Sequence, residues 1–232
     1  GQILPVASVG KFTSENNLVL LVDGAQSVGA LPVDMEHDQI DMLAVTGHKA
    51  LMGPMGTGAL LVRDHVKELL KPLKRGGTGS HSEHETQPDF LPDMCESGTL
   101  NTVGIAGLLA GINWVTERGT GAIFLDETQR IKNLINQLKS IGGVDLYTAD
   151  SPDRQGSVFS FNIQGQSPSD IGLILDEEFG ILTRVGLHCA PAAHNFMGTF
   201  PDGTVRLAPG LFTTDNELDA AVEAIKQLSM RE

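Results

Sequence analysis

The sequence is short of cysteine, of positive charge and of long apolar runs, and each shortage argues against a class of protein. Its two cysteines, Cys95 and Cys189, are far apart and form no CxxC pair, which disfavours a disulfide framework and a structural zinc site. Only 16 Lys and Arg oppose 29 Asp and Glu, and the net charge of −13 disfavours nucleic acid and anionic membranes as partners. No apolar run reaches the length of a membrane span, and the first residues do not resemble a signal peptide. We therefore expect a cytoplasmic protein.

Hydrophobic residues make up 41% of the 232 residues, which is enough to bury a sizeable core. Apolar runs at residues 16–24, 40–49 and 56–63 end in turn-forming residues and are predicted to be strands. The Gly and Pro loop between the last two runs is too short for a crossover helix. These two strands should therefore pair antiparallel inside an α/β sheet.

Three further segments complete the first half of the chain, residues 1–119. A helix is predicted at residues 64–73, where it ends at a proline, and a buried helix at residues 102–119, which are rich in small residues and leucine. Residues 75–93 are rich in Gly, Ser, His and Pro and are predicted to form a long surface loop. A scaffold partner could bind this loop between Gly76 and Pro92.

A boundary near Gly119 separates this half from a small α+β domain, residues 120–232. Its predicted helices are amphipathic, and the second and third begin with capping residues: 124–141, 167–180 and 213–229. Its predicted strands are four: 144–148, 157–163, 181–186 and 204–209.

Lys49 follows the second strand in the Gly-flanked motif TGHK. A lysine buried at a strand end has a lowered pKa and can form a Schiff base with an aldehyde such as that of pyridoxal 5'-phosphate. Asp23, at the neighbouring strand end, could keep the pyridine nitrogen protonated, while Gln26 could donate to the ring oxygen and Thr46 and His48 could hold the phosphate. The alternative is that Asp23 begins an ordinary turn and Lys49 points to solvent.

Four ordered motifs resemble one family. The stretch DGAQS followed by TGHK is similar to the lysine region of fold-type I pyridoxal phosphate enzymes, in particular the class V aminotransferase and cysteine desulfurase family. The motifs CESGTLN, RVGLHCAP and GTVRLAPGLFTTDNELD look like three further segments of that family. The resemblance implies an α/β fold: the C-terminal portion of the large cofactor-binding domain, a mixed sheet with helices, plus a small α+β C-terminal domain.

The resemblance also implies roles for individual residues. Lys49 would be the Schiff-base lysine, with His48 beside it also catalytic, and the cofactor ligands would be Asp23, Gln26, Thr46, His48 and Lys49. Thr99 would reach the phosphate bound by a neighbouring subunit, which implies a homodimer. Arg206 would bind the substrate α-carboxylate, a task suited to a guanidinium fork, and Arg184 would be a second active-site arginine.

Cys189 points to the desulfurase branch of the family. There a thiolate takes the sulfur of L-cysteine, leaves L-alanine and passes the sulfur from a persulfide to an acceptor protein. Nearby His188, Arg184 and Arg206 are expected to lower the pKa of this thiol. Cys95, in contrast, is expected to be a small buried hydrophobe.

Other functions stay open at this stage. A class V aminotransferase or a selenocysteine lyase would use the same lysine and arginine, and a catalytically silent dimerisation or interaction module would need neither. The family's N-terminal part supplies a phosphate-binding turn, a stacking ring and an Asn, and these have no counterpart here. We therefore interpret the chain as a piece of a longer protein, incomplete or inactive by itself.

Three histidines could be mistaken for a metal cluster. His81 and His84 lie in the long loop beside Glu83 and Glu85, whereas His194 is far away in sequence. Two ligands with that spacing allow a zinc site, but the sequence fixes no third or fourth ligand. Solvated loop histidines are therefore the preferred interpretation, and no metal is predicted.

Overall fold

The computed structural model describes residues 1–81 and 83–231, so Ser82 in the predicted loop and Glu232 at the end of the predicted C-terminal domain lie outside the described residues. By its internal contacts the chain divides into two compact units. One unit is Pro5–Phe124, and the other consists of Gly1–Leu4 together with Leu125–Glu232. The predicted domain boundary between residues 119 and 120 stays a prediction.

The first unit contains a three-stranded sheet in the order β1-β2-β3. Its strands are β1 (Leu21–Asp23), β2 (Met42–Thr46) and β3 (Gly58–Val62), so all three predicted strands of this half are confirmed in type. β1 runs parallel to β2, and β2 runs antiparallel to β3, as the short loop between them predicts. A helix that the sequence did not predict, α1 (Val6–Glu15), precedes the sheet.

The helix predicted at residues 64–73 is only a 3₁₀ turn, Asp64–Leu69. Leu70 is already extended, with φ −72° and ψ 143°. Pro72 restricts the residue before it to extended backbone and has no N–H for a helical hydrogen bond. The helical segment therefore ends at Leu69, short of the predicted end at residue 73.

The second predicted helix of this half is α2 (Thr102–Arg118), but the prediction that it is buried is wrong. One stripe is buried, formed by Gly104, Leu108, Gly111 and Val115, while Val103 is 84% exposed. The helix is apolar on nearly every side, so its sequence carries no periodicity that could tell a buried face from an open one.

The second unit contains a four-stranded antiparallel sheet in the order β4-β5-β7-β6. Its elements, in chain order, are α3 (Thr120–Leu138, which begins in the first unit), β4 (Val144–Tyr147), β5 (Phe159–Ile163), α4 (Pro168–Phe179), β6 (Arg184–Gly186), α5 (Pro191–Met197), β7 (Thr204–Leu207) and α6 (Asp215–Ser229). The four predicted strands and three predicted helices are confirmed, and the short α5 is an addition.

The core of this unit lies between the sheet and the helices α3, α4 and α6. Alternate residues of β5 are buried, and the side chains of Phe159 and Phe161 are fully enclosed. Ser167 caps α4 by accepting from the backbone N–H of Asp170, and Thr214 begins α6 with a capping box. The predicted α/β fold class is confirmed, and within the described residues no helix is long and apolar enough to cross a membrane.

Candidate active site

The turn that follows β2 is fixed by its backbone. The N–H of Gly47 donates to the carbonyl of Thr57 over 2.9 Å, and the N–H of Gly53 donates to the carbonyl of Gly47 over 2.8 Å. A Cβ at position 47 would lie 2.0 Å from Thr57 Oγ1, so this position has no room for a side chain. The turn therefore presents His48 and Lys49 in a defined backbone conformation.

The prediction that Lys49 is buried is wrong, because its side chain is exposed. Lys49 lies beyond the last paired residue of β2, in the turn itself. The turn is anchored instead by Leu51, which is only 7% exposed. The ammonium group of Lys49 is accordingly solvated in this chain.

The other predicted cofactor ligands of this unit lie at the same edge of the sheet. The parallel register pairs Asp23 with Ala44, so Asp23 ends β1 beside the point where β2 reaches Thr46. Asp23 is exposed, and its Oδ1 accepts from the backbone N–H of Ala25 over 3.0 Å. Thr46 Oγ1 and His48 Nδ1 are hydrogen-bonded over 2.9 Å.

Two of the predicted residues are exposed and lie in loops. Gln26 is in the turn that follows β1. Thr99 is in the segment before α2, whose N-cap is Asn101; the Asn101 side chain accepts from the N–H of Gly104 over 3.0 Å. The exposure of Thr99 is compatible with a contact to another subunit, and that role stays a prediction.

A second cluster of predicted site residues lies on β6 and β7. The antiparallel register places Arg184 directly opposite Arg206, and Gly186 opposite Thr204. Because residues directly opposite each other in an antiparallel pair point to the same side of the sheet, the two arginines lie on one face. Like charges directly opposite each other are unfavourable, so this arrangement favours an anion.

Arg206 has an unused hydrogen-bond donor. Its Nε is buried and has no partner among the residues that the structure describes. Burial lowers the pKa of Arg206 and the charge of Arg184 lowers it further, while Cys189 opposes the shift. Buried donors in folded proteins are nearly always paired, and a carboxylate accepts from a guanidinium at two points. The orphaned Nε therefore supports the predicted carboxylate site.

Cys189 is exposed, and Arg184 Nη2 donates to its Sγ over 3.2 Å. Cys189 and the preceding His188 both adopt left-handed backbone conformations, with φ 62° and 50°. Two consecutive non-glycine residues in that region carry strain, which is frequent at functional sites. The structure thus brings the predicted thiol and the predicted second arginine into direct contact.

His188 corrects one expectation about this thiol. Burial, and next the charge of Arg206, lower the pKa of His188 to about 4, so the ring is neutral near pH 7 and adds no positive charge beside Cys189. Its Nε2 is hydrogen-bonded to Thr204 Oγ1 over 3.0 Å. Sequence reasoning missed Thr204, although its position two residues before Arg206 places it on the same strand face.

Cys95 also differs from expectation. It was predicted to be a small buried hydrophobe, but it is exposed. It lies in the turns before α2, where the Cys95 N–H donates to the carbonyl of Pro92 over 2.9 Å. The chain therefore carries two accessible thiols, of which Cys189 is the one beside a guanidinium.

Comparisons with known proteins agree with the motifs. The model of the family described as aminotransferase class-V matches residues 1–221. A probable cysteine desulfurase from Methanothermobacter thermautotrophicus is 33% identical over 232 residues, which cover 99% of this chain and 58% of that protein. A cysteine desulfurase from Yersinia pestis is 31% identical and covers 98% of this chain and 55% of that protein.

Solved structures give the same result for the fold. The apo structure of the cysteine desulfurase from Thermococcus onnurineus NA1 superposes with a TM-score of 0.89 at 31% identity, covering 99% of this chain and 57% of that one. The cysteine desulfurase CsdA (S-sulfonic acid) from Escherichia coli gives a TM-score of 0.84 at 27% identity, covering 96% and 54%. The chain thus spans little more than half the length of these relatives.

These findings confirm the resemblance that the four motifs indicate. The family model covers nearly the whole chain, and a relative above 30% identity covers 99% of it. The chain belongs to the aminotransferase class-V family.

Proposed function

We propose that this chain is part of a pyridoxal-phosphate-dependent cysteine desulfurase, which converts L-cysteine to L-alanine and transfers the sulfur to Cys189. One observation carries the proposal: Arg184 Nη2 lies 3.2 Å from Cys189 Sγ, next to a facing Arg206 whose buried Nε is unpaired among the described residues. A nucleophilic thiol beside an arginine with an unpaired donor matches an amino-acid substrate that carries both a carboxylate and sulfur.

The donor set at the lysine turn fits pyridoxal phosphate. An amine, an acid, a hydroxyl and an imidazole are gathered at one sheet edge, provided by Lys49, Asp23, Thr46 and His48. The acid matches a protonated pyridine nitrogen, the hydroxyl and the imidazole match a phosphate, and the amine matches an aldehyde. Gln26, in the following turn, completes the proposed set as a donor to the ring oxygen.

When bound, the cofactor withdraws electrons from the α-carbon of an amino acid. Asp23 would hold the protonated nitrogen of the cofactor ring, and Lys49 would hold its aldehyde carbon. His48 uses Nδ1 to bind Thr46, so Nε2 is the atom at which it can hold or pass a proton.

The sulfur chemistry is assigned to the second unit. Arg206 binds the substrate carboxylate, while Arg184 stabilises negative charge on Cys189 Sγ. A bond forms between Cys189 Sγ and the substrate sulfur as the carbon–sulfur bond of the substrate breaks, and the freed carbon takes a proton. The sum is one thiol plus L-cysteine giving one persulfide plus L-alanine, which conserves atoms and electrons.

The proposal also covers the domain organisation, the oligomeric state, the sulfur acceptor and the location of the enzyme. Residues 1–119 are assigned to the remaining part of the large cofactor-binding domain, and residues 120–232 to the small C-terminal domain. The working form is a homodimer in which Thr99 reaches the phosphate of the other subunit. The persulfide is delivered to an acceptor protein, and the enzyme acts in the cytoplasm.

The test measures L-alanine and sulfide produced from L-cysteine, together with cofactor uptake followed by visible absorbance. It compares the chain as described with a version extended to the full length of its relatives, each as wild type, Lys49→Ala and Cys189→Ser. We expect cofactor uptake to depend on Lys49 and sulfide release to depend on both residues. Cys95→Ser is the matched control and should change neither.

Three outcomes separate the alternatives. Sulfide release that survives Cys189→Ser excludes the desulfurase mechanism. Transamination that persists in that variant, without sulfide release from the wild type, indicates a class V aminotransferase. If neither the chain nor its extended version takes up the cofactor, the proposal is overturned and a catalytically silent interaction module is indicated.

A further inference from the structure

We propose that the long loop of the first unit contains a binding site for a divalent transition-metal ion, with Zn²⁺ as its best match, formed by His81, Glu83 and His84. One ligand atom from each of these three side chains lies within 4.8 Å of the other two. Within residues 1–81 and 83–231, this is the one place where three such ligand atoms come so close together. The site is independent of the proposed desulfurase chemistry.

The backbone brings the two imidazoles together. The N–H of His84 donates to the carbonyl of His81 over 3.1 Å, which keeps these two residues close together. Their ring centroids are 5.5 Å apart. His84 Nε2 is 3.9 Å from Glu83 Oε1, so the carboxylate supplies the third ligand that the sequence spacing could not fix.

Contacts with other parts of the loop hold the residues around this cluster in place. The ring of Phe90 lies 5.6 Å from that of His81. Ser80 Oγ donates to the carboxylate of Asp93, on the far side of the loop. Gln87 spans the base of the loop: its Oε1 accepts from the N–H of Gly76 over 3.2 Å, and its Nε2 donates to the carbonyl of Met94 over 2.6 Å. These contacts reduce the entropy lost when the three ligands converge on an ion.

The chemistry of the three ligands selects the metal. Two imidazoles and one carboxylate form a common zinc set that leaves the fourth position to water. Zinc bonds of about 2.1 Å in a tetrahedron place neighbouring ligand atoms roughly 3.4 Å apart. The ligand atoms, within 4.8 Å of one another, have to approach by no more than about 1.4 Å to reach that spacing. The net charge of −13 also favours a cation.

The test titrates the chelator-treated full chain with ZnCl₂ by isothermal calorimetry. We expect one equivalent bound per chain, and His81→Asn or His84→Asn should weaken binding by at least about tenfold. His37→Asn is the matched control, because His37 also contacts a carboxylate, that of Asp38 over 2.9 Å, but does so without a third ligand. Circular dichroism establishes that each variant is folded.

Co²⁺ serves as a spectroscopic probe of the ligands. Tetrahedral ligand-field bands without thiolate charge-transfer absorbance support the site, because neither cysteine belongs to it. The proposal is overturned by a zinc isotherm unchanged in the His81→Asn/His84→Asn double variant, or by a thiolate band that assigns the metal to Cys95 or Cys189. Half an equivalent per chain, with a doubled mass in light scattering, also overturns it, since the ion would then bridge two copies.

Discussion

The lysine turn and the cysteine site differ in how their side chains are held. At the lysine turn the backbone is fixed by glycine contacts, but the side chains of Asp23, His48 and Lys49 are exposed. At the cysteine site the side chains hold one another: His188 contacts Thr204, and Arg184 contacts Cys189. Strand pairing and the loop that follows β6 assemble the second site, whereas the first presents its groups outward from a rigid turn.

The difference follows from how completely the hydrophobic side chains of each unit are buried. β5 of the second unit encloses Phe159 and Phe161 completely. β3 of the first unit leaves Leu60 and Leu61 with exposed fractions of 47% and 44%. A side chain near a closed core loses solvent and finds protein partners, while one on an open sheet keeps its water. Substitutions in each unit therefore test the contrast between the two sites.

The largest expected effect is the loss of folding stability when a core side chain is truncated. Phe161→Ala removes a fully buried ring and should lower the free energy of unfolding by about 3–5 kcal/mol. Leu61→Ala, at a side chain 44% exposed, should cost no more than about 1 kcal/mol. Urea denaturation followed by circular dichroism measures both, and equal losses would contradict the contrast between the two cores.

A smaller effect is expected where α2 supports the lysine turn. A Cβ at Gly111 would lie 2.3 Å from the carbonyl oxygen of Leu51, so Gly111→Ala should cost about 1–3 kcal/mol by overpacking. It should also shift the amide NMR signals of residues 47–53. Gly121→Ala is the control on α3: nothing lies within 4 Å of its added Cβ, and it should stabilise the helix by roughly 0.5 kcal/mol. Unmoved turn signals in Gly111→Ala would show that α2 does not position Lys49.

The next effect concerns the two thiols, which provide an internal comparison. Because Arg184 donates to Cys189 Sγ, Cys189 should be alkylated faster than Cys95 at neutral pH. Arg184→Gln should slow the reaction of Cys189 on the order of fivefold and leave that of Cys95 unchanged. Peptide mapping after timed iodoacetamide treatment gives both rates in one sample. Equal slowing of the two thiols would point to a general structural change instead.

The smallest effect is on the pH dependence of stability, to which one histidine in each unit should contribute with opposite sign. The pKa of His188 is lowered to about 4 in the folded chain, so the unfolded chain binds more protons, and stability falls as the pH drops from 6.5 towards 4. His188→Gln should remove this loss. The pKa of His37 is raised, chiefly by its hydrogen bond to Asp38, so its contribution is present at low pH and disappears as the pH rises above 6.5.

Calorimetric melting temperatures at pH 7.5 and pH 5 measure this prediction. His37→Asn should lower the melting temperature at the lower pH only, and His188→Gln should raise it there relative to the wild type. The same sign for both variants at pH 5 would contradict the opposite environments of the two rings.

Much of the fold could be predicted because its signals are local. β5 alternates buried and partly buried residues, and α4 and α6 begin at side-chain caps, so residues close in sequence define each of them. α2 shows the limit: an apolar helix with small residues on every side gives no periodic signal. The open face of α2 was missed because burial depends on what packs against the helix.

By itself the sequence determined the order of the seven strands and of the long helices of the second unit, the family, and the residue types available for chemistry, including Lys49, Cys189 and Arg206. These properties depend on local periodicity and on short motifs. Only the tertiary structure decided that Lys49 is exposed, that the ring of His188 is neutral near pH 7, and that Glu83 joins two imidazoles. The physical reason is that solvation, pKa and ligand convergence depend on distances between groups, which strand register and loop closure set.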